Sequence, residues 1–439
     1  MWSHQRSRPP FFRRTVIALS LLTGVALRSQ TSSLDALVAS AIAQNPSLRA
    51  QRARVAAARQ APRQAMALPD PAVDLEVMNL RVRGPSESGS VTDSLSLGVT
   101  QGLPFPGKRA LAAEAARQEA TVEEARLRSM ERTIRLEVLR AGYRFVTTRE
   151  LLRINARSRV ALSATAEGAL ARYSSGGGSQ ADVLLAQSAV TRVETQRQEL
   201  ESQARISLAR LSSLIAAPVE ADALEGIVLE APARLPPLEA LLASADRSAP
   251  DLRTALSEAA AAKIRSELAR KNRKPDFMVG VRYRYKDMSM GGGDYLTAMV
   301  GMTLPFFHRR DRYEPALEEA LQRQLAAEEE VAETKNSIRF QVAEAYQSAT
   351  KDARVFYLYD QGLLLQARQA YEASLAAYAT GRVDFGDLLM ALTNLFSYEA
   401  DAAVARGEYH QRAAELEAFL DRPLLEMEAL APDAQGGTP

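Results

Sequence analysis

The 439-residue chain contains no cysteine. That absence excludes disulfides, a thiol nucleophile and any thiolate metal site. Histidine is nearly as scarce, with only His4, His308 and His410. No His-x-x-x-His pair exists, which speaks against a zinc enzyme. After residue 27 there is no run of about 18 apolar residues, so membrane-spanning helices are not expected in the body of the chain. There is no phosphate-binding loop, no Gly-x-Ser-x-Gly and no cysteine–histidine pair. The acidic residues are spread along helix-like segments as charged faces. Nothing points to catalysis, and no cofactor is implied.

What is present begins with an export signal. Arg6, Arg8, Arg13 and Arg14 precede the apolar run "TVIALSLLTGVAL". The pattern reads as a secretory signal peptide over residues 1–29. Gly24-Val25-Ala26 is the nearest match to a cleavage motif. A plain inner-membrane anchor is the competing reading of this segment. The chain holds 55 basic and 53 acidic residues, a formal charge of +2; loss of the first 29 residues removes five arginines and no acid, leaving −3. The apparent basicity belongs to the leader, so no nucleic-acid partner is expected.

The rest of the chain is doubled. "RYSSGGGSQADVLLAQ" from Arg172 returns as "AYATGRVDFGDLLMAL" from Ala377. Tyr173 matches Tyr378, Gly176 matches Gly381, Asp182 matches Asp387 and Leu184 matches Leu389, all at an offset of 205. "LDALVASA" at Leu34 resembles "LEALLASA" at Leu238. Asn45-Pro46-Ser47-Leu48-Arg49 faces Ala249-Pro250-Asp251-Leu252-Arg253. Leu103-Pro104-Phe105 faces Leu304-Pro305-Phe306. We read a first repeat at 31–230, a linker at 231–236, a second repeat at 237–425 and a flexible tail at 426–439.

Each repeat has the same internal order. An alanine-rich helical segment comes first, about 33–67 and 237–273, and prolines stop it. Two strand-like runs with period-two alternation follow: 72–82 and 94–103, then 277–285 and 295–304. The loops between them, "RGPSESGSVTD" and "KDMSMGGGD", have turn composition. A long helix is expected at 107–173 and again at 315–379, each roughly 100 Å at the helical rise. After the glycine turn comes a third helix, about 182–217 and 387–422. In the first of these, Val190, Val193, Leu200, Ala204, Leu208, Leu211 and Ile215 form one apolar stripe.

Four strands cannot close a barrel, since the smallest closed barrels have about eight. An open sheet leaves two edges unpaired, which a bilayer does not tolerate. Several copies must therefore join; three would bring roughly twelve strands, each of bilayer-crossing length.

The chain resembles the TolC-type outer-membrane efflux proteins, closest in look to their heavy-metal (CzcC/CusC-like) branch. The resemblance rests on Leu68-Pro69-Asp70-Pro71 before the first strand and on the run from Gln101 to Arg109 after the second, "QGLPFPGKR". The two tyrosine–glycine–aspartate turns carry the rest of it, and it covers nearly all of 33–425. It implies a mainly α fold with a small transmembrane β part. Three copies would form a 12-stranded β-barrel in the outer membrane and a long α-helical barrel in the periplasm. It implies a passive exit duct for heavy-metal cations, fed by an inner-membrane resistance-nodulation-division pump through a periplasmic adaptor (membrane fusion) protein. The barrel wall would contact outer-membrane lipid. Some metal-efflux members are anchored through an N-terminal cysteine, which this chain lacks. The alternatives are a type I secretion or drug-efflux conduit and, less favoured, a periplasmic coiled-coil scaffold.

The turns carry the candidate sites. As plain helix chemistry, Gly176 to Gly178 or Gly381 ends one helix, and Ser179 or Asp384 caps the next with Asp182 or Asp387 reaching back. The resemblance adds a role: these turns are periplasmic tips touching the adaptor, through Tyr173, Gly176, Ser179, Asp182, Tyr378, Gly381, Asp384 and Asp387. It also places Asp384, Asp387 and Arg382 at a pore constriction. The family's next acidic position falls on Met390. Aspartate rings around a narrow pore attract cations. Five of the eleven methionines, Met278, Met288, Met290, Met299 and Met302, cluster in the second strand pair and its loop, where barrel-wall filling explains them. Met288 and Met290 are weak candidates for a soft metal ion.

Overall fold

The computed structural model of the chain describes residues 33–78, 94–286, 293–420 and 424. The expected export signal, most of both inter-strand loops, the tail, and Met288 and Met290 lie outside the described residues.

The first helical segment is not one rod. It divides into α1 (Ser33–Gln44), α2 (Pro46–Ala58) and α3 (Ala61–Met66). Each break falls at a proline, which removes a donor from the helix interior and is accepted at its first turn. At the first break the Asn45 side chain caps α2, accepting from the amides of Ser47 and Leu48. Its amide nitrogen also donates to the Leu214 carbonyl at 2.8 Å. The equivalent segment divides once, at Pro250, into α6 (Leu238–Ser248) and α7 (Pro250–Asn272).

The long helix of the first repeat, α4 (Lys108–Ser174), runs unbroken for 67 residues, about 100 Å. Its counterpart differs from the expected single rod. α8 (Glu314–Leu358) and α9 (Leu364–Ala379) are separated by one wider turn over 359–363, which includes Gly362. Such a turn accommodates one extra residue within a helical run. The return helices are α5 (Gln180–Ile215) and α10 (Phe385–Leu420).

The expected stripe on α5 faces inward: Val193, Leu200, Leu211 and Ile215 are buried, and Val190, Ala204 and Leu208 are half-buried. Repeat-related residues build two equivalent cores. Leu34, Val138 and Leu211 pack in one; Leu238, Val342 and Leu416 pack in the other. A fully buried leucine contributes roughly 1.5–3 kcal/mol by leaving water. The repeats interleave, because α4 packs on α7 and α10 of the second repeat as well as on its own α5.

At one end the helices give way to four antiparallel strands in the order β1 (Ala72–Met78), β2 (Ser94–Leu103), β3 (Phe277–Lys286) and β4 (Tyr295–Met302). β2 pairs with β3 across the repeats, so β1 and β4 are the sheet's two edges. Among the described residues no helix is long and apolar enough to cross a membrane.

Candidate functional site

The sheet has two chemically opposite faces. Strand alternation puts Val73, Leu75 and Val77 of β1 level with Val99, Leu97 and Leu95 of β2. Those three lie level with Val281, Tyr283 and Tyr285 of β3. Leu296, Ala298 and Val300 of β4 continue the same face. These side chains are all exposed, Val300 at 83%. A continuous apolar surface of this extent is not left to water, and it matches the lipid-facing wall of a membrane barrel.

The other face is polar. There Arg282 reaches across β2 to β1, its Nη1 donating to Glu76 at 2.6 Å and its Nη2 to Asp74 at 2.7 Å. Gly98 lies between them in register. A β-carbon at Gly98 would sit 2.7 Å from the Asp74 carboxylate oxygens, so only glycine leaves room for the bridge. The bridge ties three strands on the face that would line a lumen. Sequence reading did not single out Arg282, Asp74 or Glu76. The signal was available in "VDLEV" and "VRYRY", where opposite charges alternate with apolar residues at period two.

At the far end the two glycine turns adopt one geometry. In the first, the Gly177 amide donates to the Arg172 carbonyl and the Gly176 amide to the Tyr173 carbonyl, at 2.9 and 3.0 Å. In the second, Arg382 donates to Ala377 and Gly381 to Tyr378 at the same two distances. This double bond pattern ends a helix through one left-handed residue, here Gly176 at φ +79° and Gly381 at φ +72°.

The following caps diverge. The Ser179 hydroxyl accepts from the Asp182 amide at 3.1 Å, and the Asp182 carboxylate accepts from the Ser179 amide at 3.2 Å. That is the reciprocal cap expected from the sequence. Asp384 and Asp387 do not form its counterpart; both are exposed, as is Arg382. Tyr173 is exposed too.

Tyr378 is half-buried and makes the contact that joins the turns. Its ring meets Phe385 edge-on at 5.7 Å. The Arg172 guanidinium lies 4.5 Å over its face, and Arg172 Nη1 donates to its carbonyl at 3.0 Å. Arg172 is therefore the cation over the Tyr378 ring. Sequence reading missed Arg172 although it directly precedes the matched Tyr173. Ala169, Val183, Ala186 and Phe385 pack as the small core under both turns.

The family model for outer membrane efflux proteins matches the chain twice, over residues 37–217 and 241–421. The chain belongs to the outer membrane efflux protein family. No match is found among curated protein sequences. The fold is similar to VceC of Vibrio cholerae, an outer membrane protein, with a TM-score of 0.74 at 20% identity over 89% of this chain and 96% of that one. It is equally similar to CusC, with a TM-score of 0.74 at 18% identity over 94% and 98%. The open outer membrane channel MtrE of Neisseria gonorrhoeae gives 0.73 at 20% identity over 89% of each chain.

These values single out neither a heavy-metal nor a multidrug branch. The fold class stands: long periplasmic helices and a four-stranded antiparallel sheet of the TolC-type trimeric barrel architecture. The family is one of outer-membrane efflux, a transport class and not a catalytic one.

Proposed function

We propose that three copies close edge to edge, β4 of one against β1 of the next, into a twelve-stranded barrel continued by a helical conduit through the periplasm. The observation that carries this is the sheet itself: an apolar outer face, a charged inner face bridged by Arg282, and two open edges. A bilayer admits such a sheet only when its edges are paired. The conduit serves as the passive exit of a tripartite assembly, fed by an inner-membrane pump through a periplasmic adaptor that meets the tips around Tyr173, Gly176, Ser179, Asp182, Tyr378 and Gly381. Asp384 and Asp387 supply exposed charge at the tip, and Arg382 lies beside them. In three copies they form a ring that favours cations of any kind.

A duct of this kind leaves the choice of cargo to its pump. Among the described residues no group of three His, Asp or Glu side chains is placed to hold a metal ion. The likeness to other channels is spread evenly, so a drug-efflux or secretion role fits at least as well as metal export. A deletion strain challenged with organic toxicants and with zinc, cadmium, copper and silver tests the cargo. Sensitivity to organic compounds assigns the duct to a drug pump and sensitivity confined to metals assigns it to a metal pump, whereas no sensitivity to either class contradicts the efflux reading.

A further inference from the structure

The two strand exits use the same motif in opposite ways. After β2, Lys108 turns inward and is only 8% exposed. Its Nζ donates to Asp276 at 2.8 Å and to the Lys274 carbonyl at 2.7 Å. Arg109 donates to the Met66 carbonyl, and Phe105 stacks on Phe277 with ring centroids 6.4 Å apart. The first exit is thereby consumed in holding helix to sheet.

After β4 nothing comparable happens. Phe306 and Phe307 stand outward, 61% and 68% exposed, their rings 4.3 Å apart. Beside them lies a groove of about 410 Å³ between the end of α7 and the start of α8. Met302, Leu304 and Phe306 form its apolar wall, and Arg273, Lys274 and Arg309 stand around it. The wall continues from the lipid-facing side of β4, where Met302 and Leu304 are exposed. Two acids share the neighbourhood. Glu314 accepts from Arg309 Nε at 2.7 Å, and Asp311 sits in the same turn as Arg310 and Arg312. The cations still outnumber them.

We propose that this groove holds one anionic phospholipid of the inner leaflet per chain. The acyl chains would lie on Met302, Leu304 and the two phenylalanines, with the phosphate among Lys274, Arg273 and Arg309. The occupant follows from two features. The apolar wall is continuous with the face already assigned to lipid, so hydrocarbon reaches it. The basic rim sits where that face ends, at headgroup depth, where Lys and Arg attract anionic lipid and aromatic rings settle. The first exit offers no second such site, because its lysine and arginine are bonded internally.

This rests on the outer-membrane channel reading, and the test separates the two. The mature protein is extracted in detergent, weighed by native mass spectrometry, and titrated with dioleoyl-phosphatidylglycerol or dioleoyl-phosphatidylcholine. Wild type is expected to run as three copies and to take up phosphatidylglycerol at least about fivefold more tightly than phosphatidylcholine, as a few surface cations allow. The double change Lys274→Gln with Arg309→Gln should lower phosphatidylglycerol affinity about tenfold and leave phosphatidylcholine unchanged. Lys274→Arg with Arg309→Lys should keep the preference, which separates charge loss from misfolding. Phe306→Ser with Phe307→Ser should weaken both lipids without dissociating the trimer. Equal uptake of the two lipids by wild type, or full phosphatidylglycerol affinity in the glutamine variant, overturns the proposal while leaving the channel intact. Dissociation of the phenylalanine variant into single chains overturns it in favour of a neighbouring copy covering the rings. A wild type that is a single chain needing no detergent fails at the first weighing and removes the channel reading as well.

Discussion

The two repeats share one plan and differ in what their polar residues touch. In the first repeat, Lys108 is bonded into the sheet junction, Asn45 caps α2, and Ser179 and Asp182 cap α5. In the second, the equivalent exit presents Phe306, Phe307 and a basic groove, α7 starts without a side-chain cap, and Asp384 and Asp387 remain exposed. The long helix follows suit, unbroken in α4 and interrupted by a wide turn between α8 and α9. Duplication supplies two copies of a scaffold. Internal bonding of the first leaves the second with more of its charge and apolar surface exposed at these positions.

Unequal substitutions at equivalent positions would sharpen this contrast. The largest effect is expected at the strand exits. Lys108→Met strips the Asp276 carboxylate and two carbonyls of their donor, and should cost about 2–3 kcal/mol. Arg309→Met should stay within about 0.5 kcal/mol. Thermal or denaturant melting of the two variants reads the difference, and equal losses would erase it.

Next come the proline breaks. Asn45→Ala should cost about 1–2 kcal/mol as a lost cap. The second repeat compensates differently there, with Asp251 accepting from Ser129 at 2.6 Å and Arg132 at 2.7 Å on α4. Burial pushes the Asp251 carboxyl up, but the hydrogen bonds from Ser129 and Arg132 and the Arg132 charge pull it down further, leaving it below the ordinary range. Its contribution is therefore full above the ordinary carboxylate value and disappears as pH falls through the lowered one. Asp251→Asn should be less stable than wild type by about 1 kcal/mol at neutral pH. The gap should close in strong acid, whereas the Asn45→Ala deficit should not change with pH.

The turns come third. Ser179→Ala should cost about 1 kcal/mol, and Asp384→Ala less than about 0.5 kcal/mol. The smallest stability change should accompany the largest change in conduction. Asp384→Asn with Asp387→Asn should melt like wild type yet lose cation preference in planar bilayers. Unchanged reversal potentials would remove the acidic ring.

Much of this was legible before any coordinates. The doubled register located both turns, because Gly176 and Gly381 must supply a positive φ that few other residues tolerate. Period two located the strands, and the apolar stripe on α5 located its buried face. Breaks were less visible: alanine-rich composition favours helix on both sides of Pro46 and Pro250, so propensity alone reads one rod where chain direction changes. Contacts between repeats were not legible at all. Arg172 over Tyr378 and Arg282 over Gly98 join residues more than 180 positions apart, and nothing local to either sequence specifies its partner. The basic residues after the two strand pairs look alike in sequence, yet Lys108 is buried and the cluster after β4 is not.

The most direct test concerns the open edges. Because the chain has no cysteine, Leu75→Cys on β1 and Val300→Cys on β4 can be placed together without background. Within one chain they sit on opposite edges of the sheet and four register positions apart, roughly 20 Å at three strand spacings and four residue rises, too far for a disulfide or a short bis-maleimide. Edge-to-edge closure of three copies predicts that a short cross-linker applied to outer-membrane fractions yields a ladder of one, two and three chains that stops there. A single-chain band alone, or a ladder that continues past three, would contradict it.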